Sequence, residues 1–221
     1  MRRSVCETMI WFAMAPAAFR YLSKAEPGWD IPGLKQKTRE TYRQMIDRTP
    51  DIGTLAENPL WVCLAAGMLW LSVYEATQGK MREERFEEMV IASMNAPPVK
   101  ASFTSKGKRA FTRKAQEKRA ADAVRANAAP CGGFNWRAEV ILGRDADEYT
   151  ILYRQCGLCA LGQQEGLSHL VPYMCALDTL SFDWMGGRLT RTQTLASGGE
   201  QCDFYICRKG PEWDKERQKG E

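Results

Sequence analysis

The chain has 221 residues, 44% of them hydrophobic and 26% charged, with a formal net charge of +4. This length exceeds one average domain, falls short of two comfortable ones and can bury a sizeable core. The composition excludes a disordered or collagenous chain, and the longest apolar run, the twelve residues Leu60–Leu71, is short of the ~18 that a membrane span needs.

In chain order, the first half reads as helices. The N-terminus begins Met-Arg-Arg and carries a partly apolar run, Met9–Phe19, but Glu7 and Pro16 spoil it as a signal-peptide core. Leu34–Asp47 is a charged, mildly amphipathic helix. Pro59 opens an apolar helix, Leu60–Thr77, since proline is tolerated in a helix's first turn, and Gln78-Gly79 ends it. Met81–Met94 follows with Phe86, Met89, Val90 and Met94 on one face. Pro97-Pro98 is a break, and Ser105–Arg125 is a basic helix. Lys100–Arg125 holds nine Lys or Arg and two acids, a local +7 that leaves about −3 for everything else. Such a run suits nucleic acid or an anionic surface. With no stacking platform interleaved, we read it as a solvated helix face.

After a Pro/Gly linker at Ala128–Gly133 the period changes to two. Trp136, Ala138, Val140 and Leu142 alternate with Arg137, Glu139 and Ile141, and Thr150–Gln155 completes a hairpin across the turn Gly143–Glu148. Leu158–Glu165 and Pro172–Trp184 are helices ending at Gly166 and at Gly186-Gly187. Leu189–Leu195 and Cys202–Arg208 form a second hairpin. The expected fold is α+β: N-terminal helices, residues 1–128, packed with a C-terminal antiparallel module of order ββααββ, residues 129–221, in one compact unit.

Eight cysteines at irregular spacings, in a chain too long to need disulfides for stability, point to a cytoplasmic protein with reduced thiols. Cys6, Cys63 and Cys131 read as structural, Cys63 as a small hydrophobe inside its apolar helix. The remaining chemistry gathers in the last third. Cys175 and Asp178, three apart on one helix, share a face. Cys175 falls in the first turns of its helix and Cys156 just before another, where the dipole favours a thiolate. Cys202 opens a strand. Cys156-x-x-Cys159 admits a redox reading and, with Cys175, Cys202 or His169, a zinc reading. His169, the only histidine, reads as a surface or cap residue before a base. Arg191 offers a bidentate fork for a carboxylate. On the expected strand Arg191 and Gln193 share one face and Thr192 and Thr194 the other.

Cys156, Gly166, Cys175 and Asp178, then Arg191-Thr192-Gln193-Thr194, then Gly198, Cys202, Asp203 and Phe204 together resemble the L-2-amino-thiazoline-4-carboxylic acid hydrolase family. The likeness is dense from about Trp136 to Tyr205, weaker over Leu55–Val99, and does not extend to the first forty residues. Cys159 stands where relatives often have a small residue, and the Ser-Gly-Gly turn only approximates theirs. The same order of elements also resembles small-molecule-binding modules related to the 4-vinyl reductase domain, an analogy of fold alone.

The resemblance implies a hydrolase that adds water to the amidine-like carbon of a small ring and opens its C–N bond, giving S-carbamoyl-cysteine from the family's substrate. It makes Cys175, Cys202, Asp178, Cys156 and Asp203 the catalytic candidates, with Arg191, Gln193, Thr192 and His169 binding substrate. A thiolate adding first and a carboxylate delivering water both stay open. No cofactor is expected, zinc on Cys156, Cys159, Cys175 and Cys202 being the alternative. The expected partner is a small molecule, with neither membrane nor nucleic acid, and the oligomeric state is open. The competing reading is a non-catalytic small-molecule or metal-binding sensor.

Overall fold

The computed structural model describes residues 5–53, 58, 60–107, 109–128 and 132–210. Pro59, Lys108 and Cys131 lie outside them, as does the side chain of Cys6. The chain forms two compact units that interleave along the sequence. One takes residues up to Val99 with Pro130–Asn135 and Cys156–Cys175, and the other takes Lys100–Ala129, Trp136–Gln155 and everything from Ala176. Along the sequence the chain passes between the two units five times.

The first unit is helical. α1 (Val5–Ala25), α2 (Ile31–Arg48) and α4 (Glu83–Met94) surround α3 (Trp61–Ala76). α3 is apolar on all sides because it is buried on all sides, from Trp61 and Leu64 through Met68, Leu69 and Trp70 to Val73. Cys63, expected as a small hydrophobe inside this helix, lies exposed in its first turn beside exposed Val62. Asp30 starts α2 by accepting the Gly33 N–H at 3.0 Å, with proline in the first turn. The end of α3 falls where the sequence puts it, Gln78 and Gly79 both taking positive φ. Polar ties fix the packing. Trp70 Nε1 donates to Ser93 Oγ at 3.1 Å. The Arg48 fork closes on Glu165, with Nε 3.0 Å from Oε1. Glu165 follows α7 (Gly157–Gln164), which packs on α3. α8 (Val171–Cys175) completes the unit against α4, Tyr173 donating to Glu83 at 2.8 Å.

The second unit is a four-stranded antiparallel sheet with helices. β1 (Arg137–Leu142), β2 (Glu148–Gln155), β3 (Gly187–Thr190) and β4 (Cys202–Arg208) stand in the order β1-β2-β4-β3. The α+β class and the ββααββ order hold. Tyr149, Ile151 and Tyr153 of β2 pair with Ile206, Phe204 and Cys202 of β4, so these six share one face. With Ala110 and Phe111 most of them form the unit's core. The β1–β2 turn is tight. A Cβ at Gly143 would lie 1.8 Å from the Glu148 carbonyl oxygen.

Three elements differ from expectation, each for a tertiary reason. The basic helix is two helices, α5 (Pro97–Gly107) and α6 (Arg113–Ala128), because Ala110 and Phe111 between them turn into the sheet core. Pro97 and Pro98 open α5 instead of breaking the chain. The helix expected over Pro172–Trp184 is α8 plus α9 (Leu177–Trp184), interrupted at Ala176. Val171 and Met174 are buried in the first unit, and Leu177 and Ser181 in the second. The strand expected over Leu189–Leu195 starts earlier and stops at Thr190, for a reason that lies in the candidate site.

Candidate functional site

Beyond Thr190 the chain leaves the ladder because a side chain captures it. Asp203, on β4, accepts the N–H of Thr192 at 3.1 Å, the N–H of Gln193 at 2.9 Å and the Thr192 hydroxyl at 2.6 Å. A carboxylate that satisfies two successive amides replaces strand pairing with a loop. Thr194 then caps a 3₁₀ turn, Leu195–Ser197, which Gly198 closes with φ +84°. Gln193 folds back to accept the Glu200 N–H at 3.0 Å. The shared strand face of Arg191 and Gln193 expected above is therefore absent, and Gln193 and Thr192 serve the loop.

Asp203 is likewise committed. Burial pushes its carboxyl up, but the Thr192 hydroxyl and the amides of Gln193, Asp203 and Thr192 more than offset this and hold it below its ordinary value. Its hydrogen bonds fix the backbone of Thr192 and Gln193, the residues that follow Arg191.

Arg191 reaches the core face of the sheet. Its guanidinium lies 5.3 Å from the centroid of the Phe204 ring, and Nη1 donates to Asp178 Oδ2 at 3.0 Å. Phe204 is steadied by Tyr153, edge-on at 5.3 Å, and by Phe182 of α9 at 6.4 Å. Phe204 was not among the expected site residues, although its alternation with Cys202 on β4 places both on one face. Asp178 stands in the first turn of α9. The protein around it desolvates the carboxyl and pushes it up to about 6, against a smaller downward pull from Arg191. Since 38% of the side chain still reaches solvent, water tempers that rise, and the upward direction is what the burial dictates.

Cys202 opens β4 and is buried, 7% exposed, among Ile151, Phe204 and their neighbours. The Leu195 N–H at the head of the 3₁₀ turn points at its sulfur, 3.3 Å away. The second unit thus brings together Asp178, Arg191, Phe204, Cys202 and the Asp203 loop.

The other candidates belong to the first unit. Cys156 is the N-cap of α7, as the sequence suggests, and its carbonyl accepts the Ala160 N–H at 3.2 Å. Cys159 lies one turn further along α7, half-buried. Cys175 closes α8 instead of opening a helix, so α8 gives it no N-terminal dipole of the kind expected. The helix that was to align it with Asp178 is interrupted between them. His169 is exposed in a short 3₁₀ turn, its ring edge-on to Tyr74 at 6.1 Å, the surface position its sequence context favours. Among the described residues, no group of three or more His, Cys, Asp or Glu side chains is arranged to hold a metal ion.

These residues can be set against known proteins. The sequence model for L-2-amino-thiazoline-4-carboxylic acid hydrolase matches residues 63–206. The chain belongs to that family. The match spans α3 through most of β4 and takes in every candidate above, while α1 and α2 lie outside it. No curated protein matches the chain. No helix among the described residues is long and apolar enough to cross a membrane.

Proposed function

We propose that the protein hydrolyses a small cyclic amidine bearing a carboxylate, of the 2-amino-thiazoline-4-carboxylate type, with Asp178 carrying the proton and Arg191 holding the carboxylate. The observation that carries this reading is the Asp178–Arg191 pair within a hydrolase-family chain. A carboxyl raised toward neutrality can both take and return a proton near physiological pH. A guanidinium parked on an aromatic ring presents a planar fork to a carboxylate.

The chemistry balances with water alone. Ionised Asp178 takes a proton as water adds to the ring's amidine carbon. It returns that proton to the ring nitrogen as the C–N bond breaks, leaving a carbamoyl group on sulfur and an open amine. When the substrate carboxylate engages Arg191, the guanidinium's pull on Asp178 weakens and the carboxyl becomes a better base. Asp203, through Thr192 and Gln193, holds the backbone from which Arg191 extends. A second reading sends the reaction through the Cys202 sulfur, favoured by the Leu195 N–H aimed at it, since an N–H donor is what a thiolate accepts. Burial at 7% exposure works against it, because attack needs a reachable sulfur. Reduced thiols and a polar metabolite-sized substrate suit the cytoplasm.

The experiment is turnover of 2-amino-thiazoline-4-carboxylate, followed by mass spectrometry for the gain of one water. A thiol reagent then tells S-carbamoyl-cysteine, which has no thiol, from the N-carbamoyl isomer that C–S cleavage would give. Loss of turnover in Asp178→Asn with retention in Cys202→Ala supports the carboxylate route, and the reverse pattern selects the thiol. Tight binding of thiazoline carboxylates without turnover would make the protein a sensor instead.

A further inference from the structure

The split of the basic run into α5 and α6 brings aromatic rings to its charges. α5 buries none of its side chains. Its last residue, Gly107, lies so close to α9 that an added Cβ would stand 2.7 Å from the Met185 Cα, and that approach sets α5 beside Trp184. The Phe103 and Trp184 rings sit 6.0 Å apart at 53°. Lys100 Nζ lies over Trp184 at 5.6 Å, and Lys106 Nζ over Phe103 at 5.4 Å. Arg109, exposed, follows in the turn after α5, its N–H donating to the Lys106 carbonyl at 3.1 Å. No ion pair of Lys100, Lys106 or Arg109 occurs among the described residues, and the acid next to Trp184, Asp183, is neutralised by Lys209.

We propose that this α5–α9 face, built from Lys100, Phe103, Lys106, Arg109 and Trp184, binds single-stranded nucleic acid. Half-buried rings alternating with cations are what an unpaired strand recognises, bases on the rings and phosphates on the cations. An ammonium over a ring is a resting place on a flexible stem. A phosphate draws it away and uncovers the ring for a base. A duplex keeps its bases stacked and offers the rings nothing. A membrane would ask for a row of exposed aliphatic side chains on the charged helix, whereas α5 exposes no large hydrophobic residue. The proposal is independent of the hydrolase reading.

The test is fluorescence anisotropy of labelled 16-nucleotide oligo(dT) and oligo(U) with the full chain, between 50 and 200 mM salt. Taking Lys100, Lys106, Arg109 and exposed Lys114, five residues further along the chain, as the contacts, about four phosphates should give a log–log slope near −2.8, an affinity loss of about 50-fold over that range. Lys100→Ala with Lys106→Ala should halve the slope, to a loss of about sevenfold. Lys100→Arg with Lys106→Arg should restore it. Circular dichroism checks that these surface variants stay folded. No binding at 50 mM salt, an unchanged slope in the double alanine variant, or equal affinity for a duplex of the same length would overturn the proposal. So would binding of vesicles containing phosphatidylserine without binding of either oligonucleotide.

Discussion

Replacing Asp178 by asparagine keeps the shape and removes the titration, and its consequences can be worked from the environment. The carboxyl is pushed up to about 6 from an ordinary 3.8. A folded-state value above the unfolded one means the group stabilises the fold fully below about pH 4, and that this contribution is lost as pH rises through about 6. Undiluted, the displacement corresponds to ~3 kcal/mol. With 38% of the side chain in solvent, screening reduces it to about 1 kcal/mol. Urea unfolding of wild type and Asp178→Asn at pH 4, 6 and 8 should therefore show the wild type losing about 1 kcal/mol relative to the variant across that range. Turnover should fall along an acid limb below about pH 6. The asparagine variant should retain a hundredth to a ten-thousandth of the activity, about 3–5 kcal/mol of barrier. A wild type that gains on the variant as pH rises would refute the reasoning. It would mean that Arg191 outweighs burial and makes Asp178 a permanent carboxylate, unfit to return a proton to the leaving nitrogen.

The Arg48→Ala variant leaves the Glu165 carboxylate, only 3% exposed, without its fork, and should cost about 2 kcal/mol in urea unfolding at pH 7. Because that fork overcomes burial and holds Glu165 below its ordinary value, the loss should shrink as pH falls through 4; a constant loss would show that the pair carries no charge-dependent stability. Gly143→Ala drives a Cβ into the Glu148 carbonyl and should cost about 1–3 kcal/mol by opening the β1–β2 turn, read as a lowered melting temperature. An unchanged melting temperature would show that the turn relaxes. In timed alkylation at pH 7.5, exposed Cys63 should react first and buried Cys202 and Cys207 last, with less than one metal per chain by elemental analysis. A fast Cys202, or stoichiometric zinc, would reopen the thiol and metal roles.

Much of this protein follows from local chemistry alone. The apolar all-round run of α3, the Gln78-Gly79 stop, the Gly166 terminus and the alternation that becomes β1 and β2 are each specified within a few residues. Local periodicity and turn residues therefore sufficed for the α+β class and the order of elements. The Cys202-Asp203-Phe204 pattern likewise pointed to the family. What the sequence did not specify are choices made by partners distant along the chain. Asp203 ends β3 by taking the amides of Thr192 and Gln193, eleven and ten residues back, which no strand propensity at Arg191–Leu195 encodes. Phe111 breaks the basic helix because the sheet core needs its ring, and α8 and α9 separate because they bury their faces in different units. The same burial sets the roles at the site. Asp178 and Asp203 are identical side chains, yet desolvation raises one and captured amides lower the other. Only the tertiary structure, which decides what surrounds each carboxyl, tells the raised one from the lowered one.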